Sequence, residues 1–189
     1  MNLPNQITLI RLVLSIVLFV LLEFIGGEGG GDGWFVAFAL FVATAGTDWL
    51  DGYLARKWKQ VTAFGRIADP LVDKIVICGV LILTQTYPET ARFVPSWLVL
   101  VVVGREFVVS GLRAFIEGQG VSFAASWSGK SKLLVQAFFC GSVLLYPAVE
   151  ASWVEWCAIV SMWLTALLTV VSAGIYVGRG MTILRKSAG

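Results

Sequence analysis

Histidine is absent from all 189 residues. A group that takes a proton near neutral pH must then be a carboxylate, a lysine, a tyrosine or a cysteine, and imidazole-built zinc sites are excluded. Cysteine is scarce as well: Cys78, Cys140 and Cys157 stand singly in apolar segments without CxxC spacing, so they read as small hydrophobes rather than a disulfide or metal site. Charge is thin, at 14% of residues, and the net charge of +2 is too small and too scattered for a nucleic-acid surface. No internal repeat, heptad seam or low-complexity tail is visible apart from one glycine-rich stretch. The opening Asn2–Gln6 carries no Lys or Arg, and no Ala-x-Ala follows the first apolar run, so the first helix is expected to be retained rather than cleaved as a leader.

What the chain has in abundance is apolar side chain. A hydrophobic content of 58% and a mean hydropathy of +0.84 lie outside the soluble globular range and predict an integral membrane protein. The expected fold is all-α, a single membrane-embedded domain over residues 1–189 with six transmembrane helices. The spans fall at about Ile7–Phe24, Trp34–Arg56, Ile67–Tyr87, Trp97–Ile116, Leu133–Val149 and Val154–Val177. Residues 26–33 are too rich in glycine to favour a helix and predict an exposed loop, and residues 117–132 predict a polar turn and helix start. Gly46, Gly79 and Gly104 read as helix-contact positions, and Trp97 and Trp153 as interfacial anchors. With six spans, thirteen of the fourteen Lys and Arg residues fall on one side and only Arg92 on the other, which makes the first side cytoplasmic, with both termini.

The charges that remain are concentrated around one stretch. Asp48, Asp51, Gly52, Ala55 and Arg56 fall within an arc of roughly 140° on a helix, a small and charged face opposite Trp49, Leu50, Tyr53 and Leu54. Further along, Gly65, Asp69 and Asp73 occupy an arc of about 80°. Two such helices facing each other would build a cage of four carboxylates near the cytoplasmic membrane face. Asp48 and Asp51 taken alone fit helix-end caps or salt-bridge partners equally well. The matching pair on the next span tips the balance, because ionisable groups inside a membrane are expensive and are functional by default.

Packed carboxylates repel and stay ionised only beside cations. Oxygen-only ligation, with no His in the chain, favours Mg²⁺ or Mn²⁺, and such ions near a membrane surface typically hold diphosphate oxygens. Gly52 and Ala55 remove bulk where a ligand would approach, and Arg56 offers a bidentate phosphate donor. Metal-assisted substitution at phosphorus is the chemistry suggested.

The pattern Asp48-x-x-Asp51-Gly52-x-x-Ala55-Arg56, eight residues, Gly65-x-x-x-Asp69-x-x-x-Asp73 resembles the signature of the CDP-alcohol phosphotransferases at every position and spacing. The resemblance implies a homodimer in the bacterial cytoplasmic membrane, with a polar cavity in each protomer and two divalent ions, Mg²⁺ or Mn²⁺. It implies that Asp48, Asp51, Asp69 and Asp73 bind metal, that Asp73 also takes the alcohol's proton, and that Gly52, Ala55, Arg56 and Gly65 line the CDP-lipid site.

Other segments resemble the branch of that family whose acceptor is glycerol 3-phosphate. Pro4-Asn5-Gln6-Ile7-Thr8-Leu9-Ile10-Arg11 is similar to its Pro-Asn-x-Leu-Thr-x-x-Arg opening, which implies Asn5 and Thr8 at the CDP-lipid site. Arg105 through Arg113 is similar to its fourth-span motif, and Gly129-Lys130-Ser131-Lys132 with Gln136 to its Gly-Lys-x-Lys-Thr-x-x-Gln, with Leu133 where Thr is usual. Arg105 and Arg113 stand roughly 80° apart on a helix and would face one cavity. With Lys130 and Lys132 they could bind the acceptor's phosphate, although interfacial snorkelling explains any one of them alone equally well. The implied partners are thus CDP-diacylglycerol, glycerol 3-phosphate and membrane lipid, with no nucleic acid. Inositol phosphate is the nearest rival acceptor, an Asp-rich intramembrane prenyltransferase the nearest rival enzyme, and a cation-binding transporter the rival from another class.

Overall fold

The computed structural model describes residues 3–28, 30–58, 63–118 and 127–187, with side chains described for most but not all of these. Among the described residues seven helices follow one another: α1 (Leu3–Glu28), α2 (Gly31–Trp58), α3 (Ala63–Thr84), α4 (Pro88–Ala91), α5 (Ser96–Gly118), α6 (Trp127–Val149) and α7 (Ser152–Ser187). Among the described residues there is no strand. α4 is a single turn opened by Pro88 inside what was expected to be a loop, and the other six helices correspond in order to the six expected apolar segments.

Three segments are long and apolar enough to cross a membrane, Thr8–Ile25, Ser131–Val149 and Ser152–Ile183, with a shorter apolar segment over Gly31–Thr47. α5 has the length, but every eighteen-residue stretch of it contains Arg105, Glu106 and Arg113. The charge that spoils its hydropathy is the charge of the candidate site. Large apolar side chains such as Phe24, Leu100, Phe107 and Leu134 stand exposed on the bundle's outside, an arrangement suited to lipid and not to water.

α6 packs on α7 and α2, α1 on α2 and α3, and α5 on α7. The main core gathers Leu18, Leu22, Phe41, Val80, Leu98 and Phe139 among others, and a smaller cluster joins Val109, Ile116 and Tyr176 toward the ends of α5 and α7. At the opposite end, Arg92 lies 4.5 Å from the ring centres of both Phe93 and Tyr146 and pairs with Glu155 at 3.0 Å. Tyr87 donates to the Leu22 carbonyl at 2.8 Å.

The glycine-rich stretch departs from expectation. α1 runs through Glu28 and α2 begins at Gly31, so most of residues 26–33, expected as a loop, are helical. Tertiary contact outweighs the helix penalty of glycine here. A Cβ on Gly33 would stand 3.0 Å from Ile25 Cγ1, and one on Gly31 would stand 3.4 Å from the Ala148 carbonyl, so small residues let α1, α2 and the end of α6 approach closely. The turn between α6 and α7 is equally tight, with Glu150 in the left-handed region at φ 49° and its N–H donating to Tyr146 at 2.8 Å. α7 continues ten residues beyond the expected end, and Pro70 lies two turns inside α3 because that helix starts at Ala63, earlier than expected.

Of the three glycines expected at helix contacts, only Gly79 is one: a Cβ there would run into the Phe19 ring of α1. Gly46 and Gly104 have nothing against them among the described residues, which corrects that expectation. Trp97 and Trp153 are exposed at the starts of α5 and α7, where interfacial anchors belong. Cys140 is fully buried, and Cys78 and Cys157 are partly so, all unbridged.

Candidate active site

The signature falls on two helices as expected. Asp48, Asp51, Gly52, Ala55 and Arg56 ride on the last three turns of α2, and Gly65, Asp69 and Asp73 on the first three of α3. Both helices pack on α1. The side chains of Asp48, Asp51, Ala55, Arg56 and Asp69, and the surroundings of Gly52 and Gly65, lie outside what the structure describes, as do those of Asn5 and Lys130. Among the described residues no group of three or more acidic, Cys or His side chains gathers.

Asp73 is described. Its Oδ1 accepts a charge-assisted hydrogen bond from Arg11 of α1, whose side chain is 2% exposed. A guanidinium so deep in an apolar helix needs a counter-ion, and Asp73 supplies it. Thr8, one turn before Arg11, is buried on the same helix. Asp73 of α3 therefore meets the polar face of α1 at Arg11.

Next to Asp73 the chain places Lys74, which donates from Nζ to Ser110 Oγ of α5 at 2.6 Å, and Ser110 Oγ in turn donates to the Glu106 carbonyl at 2.6 Å. One turn back on α5 lies the densest charge cluster in the described protein. Glu106 Oε1 accepts from Lys132 Nζ of α6 and from Arg105 NH1 at 3.2 Å, while Oε2 accepts from the same NH1 at 3.4 Å. Arg105 Nε donates to Ser172 Oγ of α7 at 3.2 Å. The Arg105 and Arg113 guanidiniums lie 5.4 and 6.0 Å from the Tyr176 ring centre, so both reach one region as their spacing predicts. Arg113 Nε is buried and without a hydrogen-bond partner among the described residues. Gln136, buried on α6 one turn beyond Lys132, approaches Thr169 Oγ1 at 3.4 Å.

Three of the four expected acceptor cations are thus described, and Arg105, Arg113 and Lys132 converge where α5, α6 and α7 meet. Sequence reasoning left Lys74, Glu106, Ser110, Ser172 and Tyr176 without a part. A buried glutamate beside an arginine in an apolar run was the available signal for Glu106. Ser172 and Tyr176 share a face of α7 at a spacing of four residues, but their partners lie 63 to 71 residues away.

Among the described residues, the buried guanidinium and ammonium groups on α5 and α6 make an arrangement that suits a phosphate.

A family model described as CDP-alcohol phosphatidyltransferase matches residues 1–171. A Bacillus subtilis protein named CDP-diacylglycerol–glycerol-3-phosphate 3-phosphatidyltransferase is 34% identical over 197 residues, covering 98% of each chain. Proteins of the same name from Haemophilus influenzae and Escherichia coli are each 34% identical over 176 residues, covering 90% of this chain and 89% and 90% of theirs.

Proposed function

The chain belongs to the CDP-alcohol phosphatidyltransferase family, and on that premise we propose that it transfers the phosphatidyl group of CDP-diacylglycerol to sn-glycerol 3-phosphate, giving phosphatidylglycerol phosphate and CMP. The observation that carries the acceptor is the convergence of Arg105, Lys132 and Arg113 beside the acidic helices. An alcohol bearing its own phosphate dianion calls for such cations, whereas serine or choline does not. The name shared by the relatives points to the same acceptor.

The primary hydroxyl of glycerol 3-phosphate attacks the lipid-side phosphorus. The new P–O bond forms as the bond to the CMP phosphate breaks, CMP leaves with that electron pair, and the hydroxyl proton passes to the Asp73 carboxylate. Arg11 orients that carboxylate from α1. Arg56 and the small Gly52, Ala55 and Gly65 serve the CDP moiety, with Asn5 and Thr8 beside it. Arg105, Arg113, Lys130 and Lys132 take the acceptor phosphate.

Asp48, Asp51, Asp69 and Asp73 would hold two divalent cations, Mg²⁺ or Mn²⁺, and the donor set fits, being carboxylate oxygen alone on two helices that share α1 as a packing partner. Bound there, the metals would supply charge neutralisation for the diphosphate and the departing CMP. The reading extends to a homodimer with six spans per protomer and its termini and site at the cytoplasmic face of a bacterial membrane. The lipid then enters sideways, and both water-soluble groups pass to and from the cytoplasm.

The test is CMP release from CDP-diacylglycerol in detergent with Mg²⁺, supplying glycerol 3-phosphate, inositol phosphate, serine and glycerol in parallel. Release with glycerol 3-phosphate alone is expected. Preference for inositol phosphate would reassign the acceptor, and release with none would overturn the activity.

A further inference from the structure

Glu106 is the one acidic side chain described among the acceptor cations, and its carboxylate is 9% exposed. Both of its partners are also buried, Lys132 at 4% and Arg105 at 8% exposure. Adjacent residues on a helix point about 100° apart, so Arg105 and Glu106 do not meet by default. Here the Arg105 guanidinium is turned back to its neighbour, with NH1 at 3.2 and 3.4 Å from the two carboxylate oxygens, while its Nε is fixed by Ser172 on α7. Lys132 arrives from α6 on the same Oε1. One carboxylate thus ties two long cationic side chains, from two helices, into one geometry.

We propose that Glu106 is the positioning residue of the acceptor site: it holds Arg105 and Lys132 together as a preformed cationic fork that receives the acceptor's phosphate. The proposal rests on the reading that the acceptor carries a phosphate. Both Glu106 oxygens are engaged by the cations, so the carboxylate stands behind the fork. The ordering entropy of two flexible side chains is met on folding, before the acceptor arrives. Without Glu106 the cations repel one another in a low-dielectric site and lose their common geometry.

The experiment is steady-state kinetics of full-length Glu106→Gln and Glu106→Asp in detergent with CDP-diacylglycerol and Mg²⁺, alone and combined with Lys132→Met. Glu106→Gln is expected to raise the KM for glycerol 3-phosphate about tenfold, as loss of a charge-assisted contact does, with the KM for CDP-diacylglycerol within about twofold of wild type. Glu106→Asp keeps the charge with a shorter reach and is expected to fall between. Because Glu106 acts through its partner, the Gln substitution is expected to add less than about threefold in the Lys132→Met background. A purely structural ion pair predicts instead equal loss for both substrates, or the full effect without Lys132, and either result overturns the proposal. Should the Gln variant not fold, the Asp variant decides, and a wild-type KM for glycerol 3-phosphate there overturns it too. A wild-type protein that makes no product from glycerol 3-phosphate marks failure of the acceptor reading, whereas one that does, with a KM indifferent to Glu106, marks failure of this inference alone.

Discussion

Lys74 of α3 donates to Ser110 of α5 at 2.6 Å, and this contact joins the helix that carries Asp69 and Asp73 to the helix that carries Arg105 and Arg113. In the proposed reaction the activated diphosphate would lie against α3 and the acceptor against α5, so the distance between those helices would matter to both. Lys74, which follows the proposed base directly, ties the two helices by a charged hydrogen bond.

Lys74→Met removes the bond while keeping most of the side chain's volume. The loss of a hydrogen bond from a charged donor is expected to lower kcat/KM for glycerol 3-phosphate roughly tenfold. The effect belongs in kcat as well as KM, because misplacing one helix against the other spoils the attack geometry. CMP-release kinetics at saturating CDP-diacylglycerol separate the two, and an unchanged kcat/KM removes Lys74 from the site.

Arg11 and Asp73 make a second, more deeply buried link. Breaking such a pair by removing one partner typically destabilises by about 3 kcal/mol, since it leaves the other charge uncompensated. Arg11→Ala is therefore expected to lower the unfolding temperature in detergent and to abolish turnover, while Arg11→Lys retains part of both. Asp73→Asn keeps a hydrogen-bond acceptor for Arg11 but removes its countercharge, so it is expected to lose part of the same stability, still bind CDP-diacylglycerol, and not turn over. Near wild-type turnover in Asp73→Asn would remove it as the base.

A stability prediction follows from α1 and α3. The Phe19 ring of α1 lies where a Cβ on Gly79 of α3 would project, so Gly79→Ala forces the ring aside. Overpacking of this kind costs about 1–3 kcal/mol. Thermal unfolding followed by circular dichroism is expected to show a lower midpoint for Gly79→Ala, whereas Gly104→Ala, with nothing against it among the described residues, is expected to leave the midpoint unchanged or raise it.

The helix order and the placing of the signature on α2 and α3 were legible because charges interrupt apolar runs at helical spacing. What escaped depended on contacts between distant segments. The glycines near residue 30 look like a loop until Ile25 and Ala148 are seen to pack against them. Lys74 gains meaning only from Ser110, 36 residues on, and Arg105 from Ser172, 67 residues on. Glu106 was masked differently. It adjoins Arg105, and neighbours on a helix do not ordinarily face each other, so a shared geometry could not be read from their spacing.

Arg113 makes the last case, because it differs from its companions. Arg105 and Lys132 are tied to Glu106, whereas Arg113 touches the Tyr176 ring and keeps its buried Nε without a hydrogen-bond partner among the described residues. A buried donor left in that condition is costly, and an incoming phosphate oxygen relieves the cost. Arg113 thus has more to gain from the acceptor than the other two, and its loss is expected to appear in acceptor binding with little effect on folding. Arg113→Ala is expected to raise the KM for glycerol 3-phosphate by about tenfold or more, with Arg113→Lys recovering part of it as a point charge without the planar fork. Tyr176→Leu, which removes the ring beneath the guanidinium, is expected to raise that KM more modestly, by about threefold. Initial rates across a glycerol 3-phosphate series settle the matter, and an unchanged KM in Arg113→Ala takes this arginine out of the acceptor site.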